Sequence, residues 1–310
     1  MVLPSISPRA YHRVTLVALV LLGTIIVTGA AVRLTGSGLG CSDWPNCEQG
    51  RLIAPLELHP MVEFVNRLFT GLVSVAVILA VLGALLRAPR RKDLTWLALG
   101  LVGGVIGQIL LGGITVLTDL HPAAVQSHFL LSMAIVLDAL VLHQRSGEPP
   151  GPYHATVPRE IRRLALGLAA WATVVLTTGT IVTGTGPHGG DEDAPRFGFN
   201  ITTVARLHGI AVIILLIGTL WLIHRAHRTG AWATLATRAT ALVWAIIVQG
   251  AIGYTQYFSG VPSGLVFAHV IGSVVVWVAV VLVALATRAA VAQVEATGEA
   301  ASEPSRAATS

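Results

Sequence analysis

Three histidines and one glutamate lie in apolar segments, where ionisable side chains are rare. His128, His208 and His269 each lie a few residues inside such a segment, and Glu63 lies near the start of another. Asn66 follows Glu63 by three residues, which places both side chains on one face of a helix. An ionisable group within a bilayer costs several kcal/mol unless it has a partner. Each of these residues is therefore a candidate for function.

The chemistry that His208 and His269 offer is coordination of a haem iron. At 1.5 Å of rise per residue, both side chains lie in the outer third of the membrane. Two imidazoles on facing helices can bind the iron from both sides of the ring. The alternative is that each histidine only hydrogen-bonds a neighbouring helix, but their matched depth favours a haem.

The apolar segments that carry these residues indicate a membrane protein. Of the 310 residues, 54% are hydrophobic and 11% are charged, whereas a soluble domain carries about a quarter charged residues. This composition excludes an ordinary soluble enzyme, a nucleic-acid-binding protein and a disordered chain. About 20 apolar residues span the hydrocarbon core. Eight segments qualify and predict an all-α membrane protein: 14–32, 62–86, 94–117, 123–143, 164–186, 203–223, 231–253 and 264–287.

The basic residues predict the direction of these spans. Arginines precede the first span, follow the last, and occupy every second link between spans. The opposite links are poor in basic residues, and one carries Asp191, Glu192 and Asp193. By the positive-inside rule, both termini are cytoplasmic and the loop over residues 33–61 is external.

An internal repeat predicts two similar halves. A glutamine, a glycine and a histidine recur together 141 residues later: Gln108, Gly112 and His128, then Gln249, Gly253 and His269. Four spans per repeat give both halves the same direction. We therefore expect two tandem four-helix bundles over 1–148 and 149–288, with a disordered cytoplasmic tail over 289–310. A chance likeness of glycine-rich helices is the alternative.

Two cysteines, Cys41 and Cys47, lie in the external loop, where disulfides are permitted. The five residues between them can fold back to bring the two within bonding range. A zinc site needs more ligands than this loop offers. A disulfide is expected, with two free thiols as the alternative.

Other polar residues receive no role in chemistry. We expect His12 and His143, near the cytoplasmic ends of spans, to be solvated. His121, in a Leu-His-Pro sequence, is expected to cap a loop. Asp138 and Arg238, nearer the cytoplasmic side, are each a candidate for one half of a structural pair and receive no catalytic role.

Residues 36–47, Gly-Ser-Gly-Leu-Gly-Cys-Ser-Asp-Trp-Pro-Asn-Cys, strongly resemble the external loop of haem A synthases. The likeness continues in 63–67 (Glu-Phe-Val-Asn-Arg), in 126–129 (Gln-Ser-His-Phe) and in the two histidines of the second half. It implies an enzyme of the cell membrane that oxidises the C8 methyl of haem O to a formyl group. The product, haem A, serves a terminal oxidase. The resemblance also implies haem O synthase and cytochrome c oxidase assembly as partners, and it is compatible with a homo-oligomer.

The resemblance also implies roles for individual residues. His208 and His269 match the ligands of a low-spin haem b in the C-terminal half. His128 matches a ligand of the substrate haem in the N-terminal half. Glu63 matches an acidic residue that the family needs for activity, and we expect it to accept protons from the reacting methyl group. The two cysteines of the loop resemble the family's loop disulfide.

Asn66 departs from the family pattern. Members with the fullest motif have a histidine at this position, in Glu-x-x-His-Arg, and here Arg67 follows an asparagine. Asparagine is a poor ligand for iron. The substrate haem is then expected to be five-coordinate through His128, or to carry a water held by Asn66.

Two other functions compete with this reading. A di-haem electron carrier of the cytochrome b type would use the same histidines, but it would not need Glu63 beside an incompletely ligated iron. A proton-coupled transporter would use intramembrane His and Glu residues as a relay. No span is broken by an internal proline, as transporter helices that bind substrate often are.

Overall fold

The computed structural model describes residues 5–41, 44, 46–47 and 53–290, and this part of the chain folds into eight long helices. All eight are long and apolar enough to cross a membrane, which confirms the predicted all-α membrane fold. Their bounds are α1 Pro8–Leu34, α2 Leu58–Leu86, α3 Lys92–Leu117, α4 Pro122–Gly147, α5 Arg159–Thr185, α6 Ile201–Arg228, α7 Trp232–Phe258 and α8 Ser263–Leu285.

Most of the helices extend beyond the apolar segments because polar residues outside the hydrocarbon set their ends. Ser7 caps α1, where its hydroxyl accepts a hydrogen bond from the Ala10 amide at 3.2 Å. Asn200 caps α6 by accepting from the Thr203 amide at 3.1 Å. His121 accepts from the Ala123 amide at 3.3 Å, so it caps α4, consistent with its expected capping role.

The eight helices pack as two groups of four. Within the first group α1 packs on α2 and α4, and α3 packs on α2 and α4. Within the second group α5 packs on α6 and α8, and α7 packs on α6 and α8. Helices α1, α4, α5 and α8 form the junction between the groups. That the two groups are copies of one internal repeat stays a prediction.

Hydrogen bonds join the two groups along their length. The Trp277 indole of α8 donates to the Met133 carbonyl of α4 at 2.9 Å, and both side chains are buried. Nearer the predicted external side, the Gln126 amide donates to the Thr180 hydroxyl at 2.8 Å. A polar contact of this kind fixes the register of two helices because unpaired polar groups are costly in the membrane.

Two short antiparallel strands, β1 Tyr153–Ala155 and β2 Arg288–Ala290, pair where the α4–α5 link meets the end of α8. Three residues are too few to produce an alternating pattern in the sequence, so neither strand was predicted. Strand β2 includes residues 289 and 290, at the start of the predicted tail. Residues 291–310 of that tail lie outside the described residues.

Candidate functional site

In the second group of helices, the rings of His208 of α6 and His269 of α8 are neighbours. Their ring centroids are 6.4 Å apart and their planes are nearly perpendicular, at 77°. An imidazole nitrogen lies about 2 Å from a bound transition metal, and the ring centroid lies about 1 Å behind it, so two imidazoles on opposite sides of one metal have centroids roughly 6 Å apart. The observed spacing therefore fits two imidazoles that would hold one iron between them.

Helix α5 holds His208 in this orientation. The Thr178 hydroxyl lies 3.1 Å from His208 Nδ1, a hydrogen bond that leaves Nε2 for another partner. Gly179, the next residue, provides space for the ring, since a Cβ atom there would lie 3.0 Å from His208 Cε1. A hydrogen bond on Nδ1 is the usual way in which a protein orients a metal-binding histidine.

Helix α7 makes the corresponding contacts with His269. The Gln249 amide donates to the His269 carbonyl at 2.8 Å, and a Cβ atom at Gly253 would lie 3.0 Å from His269 Cε1. His269 Nδ1 is buried and has no hydrogen-bond partner among the described residues. An orphaned buried nitrogen is costly, and His269, unlike His208, has no hydrogen bond on Nδ1 among the described residues to orient its ring.

In the first group of helices, α3 contacts His128 in the same way. The Gln108 amide donates to the His128 carbonyl at 3.0 Å, and a Cβ atom at Gly112 would lie 3.6 Å from the imidazole. His128 Nδ1 is also buried without a partner in the described part of the chain. The glutamine, glycine and histidine positions that recur in the sequence thus make matching contacts in both groups.

Glu63 of α2 is buried, with 6% of its surface exposed, and it joins the helix to the α1–α2 loop. Its Oε1 accepts from Arg67 Nε at 3.1 Å and Nη2 at 2.6 Å, and its Oε2 accepts from the Cys41 amide at 2.8 Å. A carboxylate has about four lone-pair directions. Donors from the described residues use three of them, so Oε2 keeps room for one more donor in this part of the chain.

The loop between α1 and α2 closes over α2 and α3. Cys41 and Cys47 form a disulfide, with Cα atoms 4.4 Å apart and both side chains buried, which confirms the expected pairing. The Trp44 ring packs on α3, where a Cβ atom at Gly113 would lie 3.0 Å from it. Because Gly113 follows the glycine that contacts His128, the loop packs on α3 at the level of the His128 site. Residues 42, 43 and 45 of the loop motif lie outside the described residues.

Asn66 lies one helical turn after Glu63, and its Oδ1 is buried without a hydrogen-bond partner among the residues described. Arg67 beside it donates to the Asn46 carbonyl at 3.0 Å as well as to Glu63. The ion pair and the loop contact hold Arg67, whereas Asn66 offers a free acceptor. The expected water-binding role of Asn66 stays a prediction.

Two histidines expected to be solvated are instead packed together at the other end of the helices. The rings of His12 and His143 are stacked 4.1 Å apart and half-buried. His12 Nδ1 lies 2.7 Å from the Ser146 hydroxyl, and His143 Nδ1 lies 3.1 Å from the Thr15 hydroxyl. The pairing follows from the close packing of α1 on α4, which the sequence of either helix alone does not reveal.

Sequence reasoning also missed Thr178 and Gly179, which position His208. The internal repeat identifies Gly253 as the counterpart of Gly112, but Gly179 belongs to no repeated set of residues. Its contact depends on where α5 crosses α6, and the order of residues along one helix does not give that crossing point.

Comparison with known proteins places the chain in a family. The family of cytochrome oxidase assembly proteins named COX15-CtaA matches residues 12–60 and 57–281. The haem A synthase of Exiguobacterium sibiricum is 26% identical over 163 residues, which are 51% of this chain and 54% of that protein. The haem A synthase of Lysinibacillus sphaericus is 28% identical over 164 residues, 51% of this chain and 53% of that protein.

The chain thus spans about half the length of these two relatives in the matched segments. A longer match, to the haem A synthase of Listeria welshimeri, is 24% identical over 275 residues and covers 82% of this chain and 88% of that protein. Because the family match covers most of the residues from α1 to α8, the chain belongs to the COX15-CtaA family of cytochrome oxidase assembly proteins.

Proposed function

We propose that this protein is a haem A synthase, which oxidises the C8 methyl of haem O to a formyl group. The observation that carries the proposal is the facing pair of imidazoles, His208 and His269, at a centroid spacing of 6.4 Å. Family membership and relatives named haem A synthase support it. A third histidine with matching contacts, His128, supports a second haem in the other group of helices.

In the C-terminal half, residues 149–288, His208 and His269 are the ligands of a resident haem b. This haem supplies one-electron redox chemistry when it is bound. Thr178 orients the His208 ring through Nδ1, and the glycines opposite both rings keep space for them. These contacts fix the imidazoles before the cofactor arrives, which reduces the ordering cost of binding.

In the N-terminal half, residues 1–148, His128 holds haem O as the substrate. Conversion of a methyl to a formyl group is an oxidation in which the reacting carbon gains an oxygen atom, loses hydrogens as protons and passes the electrons to an external acceptor. Glu63 is the proposed acceptor through Oε2, which has room for a further donor. Arg67 fixes the carboxylate through Oε1, and Asn66, whose Oδ1 has no hydrogen-bond partner among the described residues, would hold a water in this site.

We further propose that the protein lies in the cell membrane, with both termini cytoplasmic and the disulfide loop external. The distribution of arginines supports this orientation. Haem O synthase, as the source of substrate, and the assembly of cytochrome c oxidase are the proposed partners. A homo-oligomer is compatible with the apolar outer surface, where residues such as Ile217 and Trp244 are about 60% exposed.

The function is tested by producing the full chain together with haem O synthase in bacteria that make no haem A. Chromatography of extracted haems is expected to reveal haem A only when both proteins are present. His128→Ala is expected to leave haem O unconverted. Conversion at the same level without this chain, or with His128→Ala, would contradict the proposal.

The runner-up is a di-haem electron carrier, which would also use the facing histidines. The buried Glu63–Arg67 pair, linked to a disulfide-closed loop, favours the synthase over the carrier. In the same experiment, a carrier would bind haem b and leave haem O unconverted.

A further inference from the structure

At the opposite end of the helices from the loop, the start of α3 carries a groove of about 370 Å³. It is lined by Arg90, Lys92, Thr95, Trp96 and Leu99. The groove lies on the outside of the helix group, since Trp96 is 74% exposed and Leu99 is 41% exposed. None of the residues proposed to bind haem lines it.

The polarity of the groove changes along one face of α3. Lys92, Trp96 and Leu99 are four and three residues apart, which places them on one side of the helix. Leu99 lies about 10 Å further along the axis than Lys92 at 1.5 Å per residue. The groove thus passes from cations, through an indole, to an aliphatic side chain.

The cations of the groove have no anionic partner in the described part of the chain. Arg90 and Lys92 are exposed and make no ion pair there. The nearest carboxylate along the chain, Asp93, is bound instead by Arg91, at 3.1 Å from Nε and 2.7 Å from Nη2. The groove therefore keeps an uncompensated positive charge.

We propose that this groove binds an anionic phospholipid of the leaflet that contains Arg90 and Lys92. The phosphodiester lies between the two cations, the Trp96 indole lies at the level of the glycerol, and an acyl chain follows Leu99. Basic pockets at the cytoplasmic ends of transmembrane helices bind anionic headgroups, and tryptophan favours the interface. Free phosphate satisfies the cations but leaves the apolar part of the groove without a partner. The inference does not depend on the proposed enzyme activity.

The test is a lipid titration of the purified full chain in detergent, followed by native mass spectrometry. Phosphatidylglycerol and phosphatidylcholine with the same acyl chains are compared. We expect phosphatidylglycerol to bind more tightly, and its affinity to fall about fivefold for each of Arg90→Gln and Lys92→Gln. Trp96→Leu is expected to weaken binding of both lipids, because it removes the indole from the groove.

Two exposed residues at the same end of the helices serve as matched controls. Arg228→Gln removes an equivalent charge at the end of α6, and Trp221→Leu removes a tryptophan that is 53% exposed on that helix. Both are expected to bind phosphatidylglycerol as the unmodified protein does. Circular dichroism of each variant establishes that the helices are retained.

Three results would overturn the proposal. Equal affinity for the two lipids would exclude recognition of the headgroup charge. An equal loss of affinity in Arg228→Gln would mean that the general positive charge of this face attracts the lipid. Displacement of phosphatidylglycerol by an equal concentration of inorganic phosphate would assign the groove to a free anion.

Discussion

Gly179 leaves the space in which the His208 imidazole lies, so a single methyl group at this position is expected to disturb this proposed haem ligand. In Gly179→Ala, the new Cβ would lie 3.0 Å from His208 Cε1, closer than carbon atoms normally approach. Overpacking of this kind costs roughly 1–3 kcal/mol. We expect less low-spin haem per protein in this variant, measured by its absorption spectrum after purification.

Gly167→Ala is the matched control for Gly179→Ala. It makes the same substitution on α5, where a Cβ atom would contact nothing within 4 Å. The control is expected to keep the full haem content. Equal haem content and equal spectra in the two variants would mean that His208 does not bind the iron in the orientation described.

Glu63→Gln separates a role in proton transfer from a role in loop attachment. Glutamine retains the size of the side chain and one acceptor, but it cannot accept a proton as a carboxylate does. Positioned proton transfer contributes about 100-fold or more to a rate. We expect the variant to insert, bind haem b and convert haem O at a rate lower by at least about this factor.

Glu57→Gln provides the control for this prediction, because Glu57 is exposed at the start of the same helix and makes no side-chain capping bond. Its conversion rate is expected to be unchanged. If Glu63→Gln makes haem A as fast as the unmodified protein does, Glu63 only joins α2 to Arg67 and the loop.

The histidines could be predicted as candidates, whereas their neighbours could not. His208 and His269 are identified by the cost of an imidazole in an apolar segment and by their equal depth. Thr178 and Trp44 come from other parts of the chain, and their contacts depend on how helices and loop pack. Glu63 was predicted to lie near the reacting group, and its bond to the Cys41 amide appears only in the folded loop.

At the scale of elements, the external loop is expected to position Glu63 more than to stabilise the fold. A disulfide that closes so short a loop contributes about 2 kcal/mol in the chain-entropy model. In the double variant Cys41→Ser/Cys47→Ser, the disulfide no longer holds the backbone amide of residue 41 against the Glu63 carboxylate. We therefore expect a small loss of thermal stability and a larger loss of haem O conversion.

Mass spectrometry of non-reduced peptides checks the disulfide itself, and a thermal melt checks its effect on stability. Two freely alkylated thiols in oxidised membranes would contradict the pairing. A double variant with normal conversion would show that the position of Glu63 does not depend on the disulfide.

The structural role of a glycine in the loop depends on the folded path of the loop, so the sequence did not reveal it. A Cβ atom at Gly40 would overlap the His59 carbonyl, so the chain passes too close to α2 for any side chain. The helices, by contrast, were predicted almost completely, because a run of about 20 apolar residues is sufficient to specify a span. Most predicted spans are shorter than the helices, because capping residues such as Ser7 lie outside the apolar runs.

At the scale of the whole molecule, the junction between the two groups of helices was not predicted. The Arg33 guanidinium of α1 donates to the Thr183 carbonyl at 2.9 Å and to the His188 carbonyl at 2.5 Å, and so attaches the first group to the end of α5. Partners 150 and 155 residues apart are not encoded by the pattern of either helix. The number of spans, in contrast, follows from the apolar runs alone, and their direction stays a prediction from the arginines.

The orientation of the molecule can be tested by labelling single cysteines in intact cells. In a Cys41→Ser/Cys47→Ser background, Gly198→Cys lies in the exposed α5–α6 link, and His154→Cys lies in the exposed α4–α5 link. An impermeant maleimide is expected to label residue 198 directly and residue 154 only after the membrane is made permeable. The opposite pattern would invert the proposed topology.

The measurement that tests the proposed function most directly is the absorption spectrum of the purified full chain, followed by extraction of its haems. The protein is to be produced with haem O synthase, so that substrate is present. We expect a low-spin haem b spectrum that is lost in His208→Ala and in His269→Ala, with haem O or haem A in the extract beside haem b. A protein without a Soret band, one that contains only haem b, or a low-spin spectrum that survives both substitutions would contradict the proposal.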